Sequence, residues 1–278
     1  TAWTPELMMT VRRVGGARVS PDGKRVAFQV GSAVMSDDKS EFVTQLFVAN
    51  ADGSEAVQLT FGDKSSTDPQ WSPNGMSLAF LSDRAGKKNI YLINLAGGEA
   101  EQLTDVKSAV NAFQWSPDGK QIAFTMPDPT SDAEEKSAKS KDDAKWFERD
   151  WKFARLYVIP LEKPANGKRE PRKLTTSDFH VGVYGRTTDG GFDWSPDSKS
   201  IAFAHQKTPK ANDWPTGDIS FVDVTSGEVK PLAASPAAEM RPMFSPDGKW
   251  IAMTVSDNPP RWAGSRRIQI VAATGGDQ

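Results

Sequence analysis

Short apolar segments recur along the chain, and each of them follows the same kind of turn. A copy has one apolar residue, then Ser-Pro-Asp-Gly or a close variant, two more residues that are mostly polar, and an apolar triplet such as Ile-Ala-Phe. Recurrence at roughly 45 to 50 residues indicates a repeat architecture in which each copy forms one structural unit. The five copies begin at Val19, Trp71, Trp115, Trp194 and Phe244.

The Ser-Pro-Asp-Gly element predicts a tight hairpin turn. Proline presets φ at the second position, the Ser and Asp side chains hydrogen-bond to nearby backbone, and glycine accepts the positive φ that closes the turn. The serines are therefore predicted to be structural. The fourth copy has Ser198 where the others have glycine. If this position is left-handed, the serine should carry strain of about 1 kcal/mol.

Each repeat also contains a second pair of short strands after the apolar triplet. Residues 45–50 lead through a turn to 57–60, and residues 89–93 lead to 101–104 in the same way. Four short antiparallel strands are the blade of a β-propeller, in which radial packing protects the sheet edges. Helical repeats would need longer amphipathic stretches. We therefore predict an all-β protein, a β-propeller of four-stranded antiparallel blades.

The repeats are predicted to form a single propeller domain or fragment over residues 1–278. The fifth repeat reaches Gly275-Gly276 and ends before its expected last strand. This predicts an incomplete, truncated ring, unless the N-terminal segment supplies the missing outer strand. The repeats span roughly 11–60, 61–104, 105–175, 183–233 and 239–278, with a charged insertion at 127–154 in the third.

Composition limits the function without defining it. The chain of 278 residues is 37% hydrophobic and has a net charge of −2, which gives no reason to expect nucleic acid or a membrane surface as partner. It has no apolar run of about 18 residues and no cysteine. The start at Thr1, without Met or an apolar leader, predicts a removed leader or a cut segment. We predict no cofactor and no metal.

The repeat motif and the opening segment resemble those of a known family. The pattern Trp-Ser-Pro-Asp-Gly-Lys-x-Ile-Ala-Phe, with Ile-Tyr, Gly-Gly and Gln-Leu-Thr, is similar to the propeller repeats of TolB-type proteins and of prolyl oligopeptidase-family serine peptidases. The opening Thr4-Pro5-Glu6-Leu7-Met8 resembles the acylaminoacyl-peptidase and dipeptidyl-peptidase branches, in which a short helix precedes the first blade. The resemblance covers essentially the whole chain.

The resemblance implies a function for a longer protein. Peptidases of this family carry a C-terminal α/β-hydrolase domain with a Ser-Asp-His triad, which needs a Gly-x-Ser-x-Gly elbow. No such pentapeptide occurs here. The chain itself is therefore predicted to be non-catalytic, to restrict access of short peptides and to help position their N-terminus. Its implied partners are a peptide substrate and a missing α/β-hydrolase domain, and its implied location is secreted or periplasmic.

Long insertions are predicted to share one face of the propeller. If strands alternate in direction, the tight turns lie on one face and the other connections on the opposite face. Insertions on one face usually map the binding side of a repeat protein. The long segments are residues 31–42, 127–154, 206–217 and 257–265, together with the link 177–191.

The candidate substrate-binding residues lie in these insertions. Glu148, Arg149 and Asp150 stand between two tryptophans, an arrangement that would hold a carboxylate near apolar surface. In dipeptidyl-peptidase relatives, acidic residues on a propeller insertion bind the free α-amine of the substrate, and the resemblance gives Glu148 and Asp150 this role. An ordinary ion pair with Arg149 is the alternative. Trp214 and Trp262 are predicted either to line a binding surface or to pack under their own loops.

Two histidines and two alternative functions are the remaining candidates. His180 and His205 have no spacing typical of a metal site or catalytic dyad, so we interpret both as structural. A TolB-like propeller that scaffolds a partner in the cell envelope is the first alternative function. A five-bladed lectin or glycosidase propeller is the second alternative function. The recurring tryptophans, however, are predicted to lie in the blade core and not to form sugar-binding platforms.

Overall fold

The computed structural model describes residues 3–36, 38–142, 144, 148–165, 167–183, 190–233 and 235–275. The chain divides into two compact units, Thr1–Val106 and Lys107–Gln278, which hold two and three β-sheets respectively. All of the strand pairs are antiparallel, as alternating strands joined by short turns require. The prediction of an all-β protein with five repeats of one sheet each is confirmed.

The first unit opens with a short helix, as the resemblance implied. Helix α1 (Pro5–Thr10) starts with proline, and the Thr4 hydroxyl accepts a hydrogen bond from the Leu7 N–H at 3.1 Å. Two four-stranded sheets follow in chain order. Their strands are β1 (Arg13–Val19), β2 (Arg25–Ser36), β3 (Lys39–Asn50) and β4 (Val57–Gln58), then β5 (Ser66–Trp71), β6 (Ser77–Ser82), β7 (Asn89–Asn94) and β8 (Glu101–Gln102).

The second unit contains the other three sheets. The inner strand of the fourth sheet is in two pieces, β13 and β14, which both pair with β15. The fifth sheet has three strands among the described residues. The elements are β9 (Ala112–Trp115), β10 (Gln121–Pro127), α2 (Asp132–Lys139), β11 (Ala154–Pro160), β12 (Arg172–Lys173), β13 (His180–Val181), β14 (Phe192–Trp194), β15 (Ser200–Gln206), a 3₁₀ helix (Ala211–Thr216), β16 (Asp218–Asp223), β17 (Val229–Ala233), β18 (Glu239–Phe244), β19 (Trp250–Ser256) and β20 (Arg266–Ala272).

The repeated serines hold the hairpin turns together. In the first copy the Ser20 hydroxyl donates to the Asp22 carboxylate at 2.6 Å and accepts from the Arg25 N–H at 2.9 Å, while Gly23 has φ 72°. The same serine-to-acceptor bond recurs in the other four copies at 2.6 to 2.7 Å. The turn is thus a local consequence of its four residues, and its serine hydroxyls are already engaged.

Ser198 takes the left-handed conformation expected at the glycine position, with φ 61°. Its hydroxyl also accepts a hydrogen bond from the Asp118 N–H at 3.0 Å. We expect Ser198→Gly to be more stable than Ser198→Ala by about 1 kcal/mol, because both variants lose this bond and only glycine relieves the strain. Urea unfolding of the two variants measures the difference. Equal stability of the two variants would show that the positive φ at this position costs no free energy.

The recurring tryptophan joins neighbouring sheets at two places, one in each unit. The Trp71 indole N–H donates to the Arg18 carbonyl at 2.8 Å, and that of Trp194 donates to the Gln114 carbonyl at 3.3 Å. Both side chains are buried, whereas Trp115 is half-buried. Burial of the ring with its N–H satisfied fixes the spacing between neighbouring sheets within a unit. The prediction that these tryptophans are structural is confirmed for Trp71 and Trp194.

Antiparallel order places the hairpin turns and the insertions at opposite ends of each sheet. We call the two ends the turn face and the insertion face. On the turn face, neighbouring turns meet: a Cβ at Gly75 would lie 3.6 Å from Pro21, and a Cβ at Gly248 would lie 3.5 Å from Pro196. The tight packing of these turns leaves the opposite, insertion face for the long connections.

The first predicted insertion, residues 31–42, is the extended end of a hairpin. Beyond the pairing of β1 with β2, strands β2 and β3 stay in register from Gly31 opposite Thr44 to Ser36 opposite Lys39. Helix α2 lies in the predicted insertion 127–154, and the 3₁₀ helix lies in the predicted insertion 206–217.

Candidate functional site

The charged insertion of the third repeat forms a capped helix. Ser131 accepts the Glu134 N–H, and Glu134 in turn accepts the Ser131 N–H, so both sides of a capping box are present around the start of α2. Lys152 donates to the Glu134 carboxylate at 2.6 Å, and this bond is the main cause that lowers the pKa of Glu134 to about 2. The first half of the charged insertion thus contains a helix whose start is fully capped.

The predicted substrate-binding residues Glu148, Arg149 and Asp150 follow this helix in the chain, and all three are exposed. The Glu148 carboxylate pairs with the Lys210 ammonium group at 2.5 Å rather than with its neighbour Arg149. Lys210 precedes the 3₁₀ helix of the fourth repeat, and its nitrogen lies 5.6 Å from the centre of the Trp151 ring. The ion pair therefore ties together the insertions of two repeats.

The local backbone around these residues is unusual. Glu148 has φ 58° and Asp150 has φ 54°, both in the left-handed region. The Trp151 indole N–H donates to the Glu148 carbonyl at 3.1 Å, which closes a small turn. Asp150 is exposed, and no described residue pairs with its carboxylate. Trp146, the other predicted flanking ring, lies outside the described residues.

The two loop tryptophans have different environments. Trp214 is 2% exposed and packs in the core between the fourth and fifth sheets, so the prediction that it lines a binding surface is corrected in favour of packing under its own loop. The 3₁₀ helix turns its ring inward, against Ala204 and Met253. Trp262 is 63% exposed and lies over Trp214, with ring centres 5.4 Å apart. Of these two rings, Trp262 is therefore the exposed one.

A cavity of about 190 Å³ opens on the insertion face between the third and fourth sheets. One of its walls, Pro209, directly precedes Lys210 of the ion pair in the chain. The polar groups in the wall of this cavity come from strand ends that meet on the insertion face. The cavity is lined by Asn111, Thr125, Ala154, His180, Gln206 and Pro209, among others.

His180 presents a neutral imidazole to this cavity. Its Nδ1 accepts the Ala154 N–H at 3.0 Å, so Nε2 carries the proton. Burial, followed by the charge of Arg155, lowers the pKa of His180 to about 4. A ring that stays neutral at pH 7 and has one nitrogen engaged acts here as a hydrogen-bond donor and not as a base.

Arg155 organises the base of the insertion. Its side chain is 7% exposed, contacts the Asp128 carboxylate at 2.9 Å, and donates to the carbonyls of Phe179, at 2.9 Å, and Ser177. Lys173 adds a second contact to Asp128 at 2.7 Å. Burial raises the pKa of Asp128, but the hydrogen bonds from Lys173 and Arg155 outweigh it and hold the pKa below its ordinary value. The sequence pattern gave no signal for Arg155 or Lys210.

The remaining histidine is structural. His205 Nε2 lies 2.9 Å from the Ser220 hydroxyl, and its ring stacks on Phe179 at 4.5 Å. Burial lowers its pKa to about 4. Across the described part of the chain, no group of three or more acidic, histidine or cysteine side chains is arranged to hold a metal ion. The described helices include none with the length and apolarity to span a bilayer.

Comparisons with known proteins agree with this architecture. Residues 9–144 match the TolB beta propeller domain family. The chain is 27% identical over 261 residues to dipeptidyl-peptidase 5 of Porphyromonas endodontalis, covering 89% of this chain and 38% of that protein. It is 30% identical over 271 residues to dipeptidyl-peptidase 5 of Porphyromonas gingivalis, covering 90% and 39%. The chain thus spans less than half the length of these relatives.

A solved structure shows the same fold. The acylaminoacyl peptidase of Pyrococcus horikoshii superposes with a TM-score of 0.66 at 15% identity, over 98% of this chain and 40% of that one. At this identity the similarity concerns the fold alone. Together with the five antiparallel sheets and the recurring Ser-Pro-Asp-Gly turn, these comparisons lead to one conclusion. The chain is a β-propeller domain related to TolB and to the propeller regions of peptidases.

Proposed function

We propose that this chain is the non-catalytic propeller region of a longer serine peptidase that acts on short peptides. The insertion face of its second unit narrows the access of peptides and helps to position their free N-terminus. The relationship to dipeptidyl-peptidase 5 over about nine-tenths of the chain supports the substrate class. The absence of a Gly-x-Ser-x-Gly elbow from the sequence supports a non-catalytic role for the chain itself.

The observation that carries the proposal is the ion pair between Glu148 and Lys210. It fixes the third insertion against the loop of the fourth repeat, beside the cavity that His180 lines. Lys210 neutralises Glu148, so we assign Glu148 a positioning role. Asp150 keeps an exposed carboxylate next to it, which suits a charge-assisted bond to an α-ammonium group.

Titration of the chain with a short peptide tests this assignment. We expect dialanine amide to bind about tenfold more tightly than its N-acetylated form, because acetylation removes the ammonium charge that Asp150 receives. Asp150→Asn should abolish this preference. Isothermal titration calorimetry measures both affinities.

Asp132→Asn is the matched control for this experiment. Asp132 is an almost fully exposed carboxylate of the same insertion, whose nearest ammonium group is Lys107 at 3.7 Å. This variant makes the same charge change and should keep the preference for a free amine. Equal binding of the two peptides by the unaltered chain would overturn the assignment of Asp150.

A secreted or periplasmic location is part of the proposal, since peptidases that take up external oligopeptides act there. The second candidate function is a TolB-like propeller that scaffolds a partner in the cell envelope. The match of residues 9–144 to the TolB beta propeller domain favours it. The reading frame that follows Gln278 separates the two candidates, because only the peptidase requires a hydrolase domain.

A further inference from the structure

The grooves between neighbouring sheets on the turn face differ in what fills them. Between the first and second sheets, Arg25 extends across the groove and donates to the Gly75 carbonyl at 2.9 Å. Its guanidinium carbon lies 5.1 Å from the centre of the Trp71 ring. One arginine of the earlier repeat thus stacks on the recurring tryptophan of the later repeat and satisfies a carbonyl of its turn.

The groove between the third and fourth sheets is filled by a different arginine in a similar way. Arg172, on β12, donates to the Val224 carbonyl across the groove. The recurring tryptophan of the later repeat, Trp194, is 3% exposed. In both grooves, therefore, a guanidinium group from one repeat reaches a backbone carbonyl of the next.

The groove between the fourth and fifth sheets lacks both arginines. The strand registers place Ser200 at the position of Arg25, and Lys230 at that of Arg172. Phe244 replaces the recurring tryptophan. A cavity of about 470 Å³ is found here, with Ser200, Lys230 and Phe244 among its walls, which is large enough for a side chain of a ligand. We call it the 4–5 groove.

The walls of the 4–5 groove provide what a guanidinium group contacts in the other grooves. Phe221 and Phe244 form a stacked pair with ring centres 5.8 Å apart. The Gly248 carbonyl, equivalent to that of Gly75, receives no hydrogen bond from any described residue. The groove thus retains an aromatic surface and a backbone acceptor, without the cation that occupies them elsewhere.

Charge in the 4–5 groove also favours a cation. Four carboxylates line it against a single ammonium group, that of Lys230, which pairs with Glu228 at 3.1 Å. The turn bonds of Asp197 and Asp223 all go to Oδ1, and no described residue donates to either Oδ2. These oxygens remain available as acceptors beside the aromatic surface.

We propose that the 4–5 groove binds an arginine side chain of a peptide or protein partner. The guanidinium group stacks on Phe244, donates to the Gly248 carbonyl and contacts the carboxylates of Asp197 and Asp223. Arginine fits better than lysine because its planar group stacks on an aromatic ring and donates in several directions at once. This groove lies on the turn face, and the proposal does not rest on the peptidase function proposed for the insertion face.

Titration with N-acetyl-arginine amide, followed by the amide NMR shifts of Gly248 and Ala273, tests the proposal. We expect saturable shifts, and about tenfold weaker binding of the citrulline analogue, which has the same shape without the charge. Ser200→Arg should fill the groove from within, as Arg25 does in the first repeat, and so raise the melting temperature and abolish binding. Ala138→Arg, on the exposed end of α2, adds the same residue elsewhere and should leave binding unchanged.

Asp197→Asn provides a second variant if Ser200→Arg does not fold. Asn74 makes the same turn bond in the second repeat, so this variant keeps the turn, and loss of the carboxylate charge should weaken binding of the arginine probe about tenfold. Unchanged binding by this variant would contradict the proposal. The proposal is overturned if the arginine probe causes no saturable shift at Gly248 and Ala273, or if the citrulline analogue binds equally well. It is also overturned if a folded variant with a filled groove binds as the unaltered chain does.

Discussion

Replacing Arg155 with alanine is expected to lower the free energy of unfolding of the second unit by about 3 to 5 kcal/mol, because the change leaves two carbonyls without their buried donor and removes one of the two cations that contact a partly buried carboxylate. Arg155 is almost fully buried and links Asp128, on the third insertion, to the carbonyls of Ser177 and Phe179. Denaturant unfolding followed by tryptophan fluorescence measures the loss.

Lys173→Ala is the matched control for the arginine variant. Lys173 contacts the same Asp128 carboxylate but is about one-third exposed, so its loss should cost about 1 kcal/mol or less. A result in which both variants differ from the unaltered chain by the same small amount would contradict the role of Arg155. The insertion would then be held by packing and not by this network.

Acidification from pH 7 to pH 5 is expected to cost about 2 kcal/mol of stability for each histidine, or about 4 kcal/mol in total. Burial lowers the pKa of His180 and of His205 from 6.5 to about 4. Below pH 6.5 the unfolded chain therefore takes up protons that the folded chain does not bind. The stabilisation is fully present above pH 6.5 and is lost as the pH falls towards 4, as urea unfolding across this range should show.

Histidine variants isolate this effect. His180 and His205 are the 2 histidines of the chain, so the double His→Gln variant has none. Glutamine is neutral at all these pH values and keeps one acceptor and one donor. Each single variant should remove about half of the dependence on pH between 6.5 and 5, and the double variant nearly all of it. If the double variant kept the full dependence of stability on pH, that dependence would have to come from other titratable groups.

The sheets could be predicted because the information for them is local. The turn bonds of Ser20 and Asp22 involve residues within five positions of each other, and the same short pattern recurs in every repeat. The recurring tryptophan could be assigned to the core for the same reason, since its register was visible in the sequence. The outer half of the β2–β3 hairpin was predicted only as an insertion, because residues 32–35 show no regular alternation of polar and apolar side chains.

The arrangement of the insertion face could not be predicted in the same way. Glu148 pairs with Lys210, and Arg155 with the carbonyl of Phe179, across distances along the sequence that no local pattern encodes. Trp214 and Trp262 occupy equivalent loops, yet one is buried and the other exposed. The difference depends on the 3₁₀ helix that turns the Trp214 ring inward. This arrangement depends on tertiary packing, which residue type alone does not reveal.

Hydrolysis of a chromogenic dipeptide substrate tests the central proposal most directly. The assay compares the purified 278-residue chain with the product of the complete parent reading frame. We predict that the chain alone releases no chromophore and that the longer product does, through a following domain with Gly-x-Ser-x-Gly. Turnover by the chain alone, or a stop codon directly after Gln278, would contradict the assignment of this chain as the propeller region of a longer peptidase.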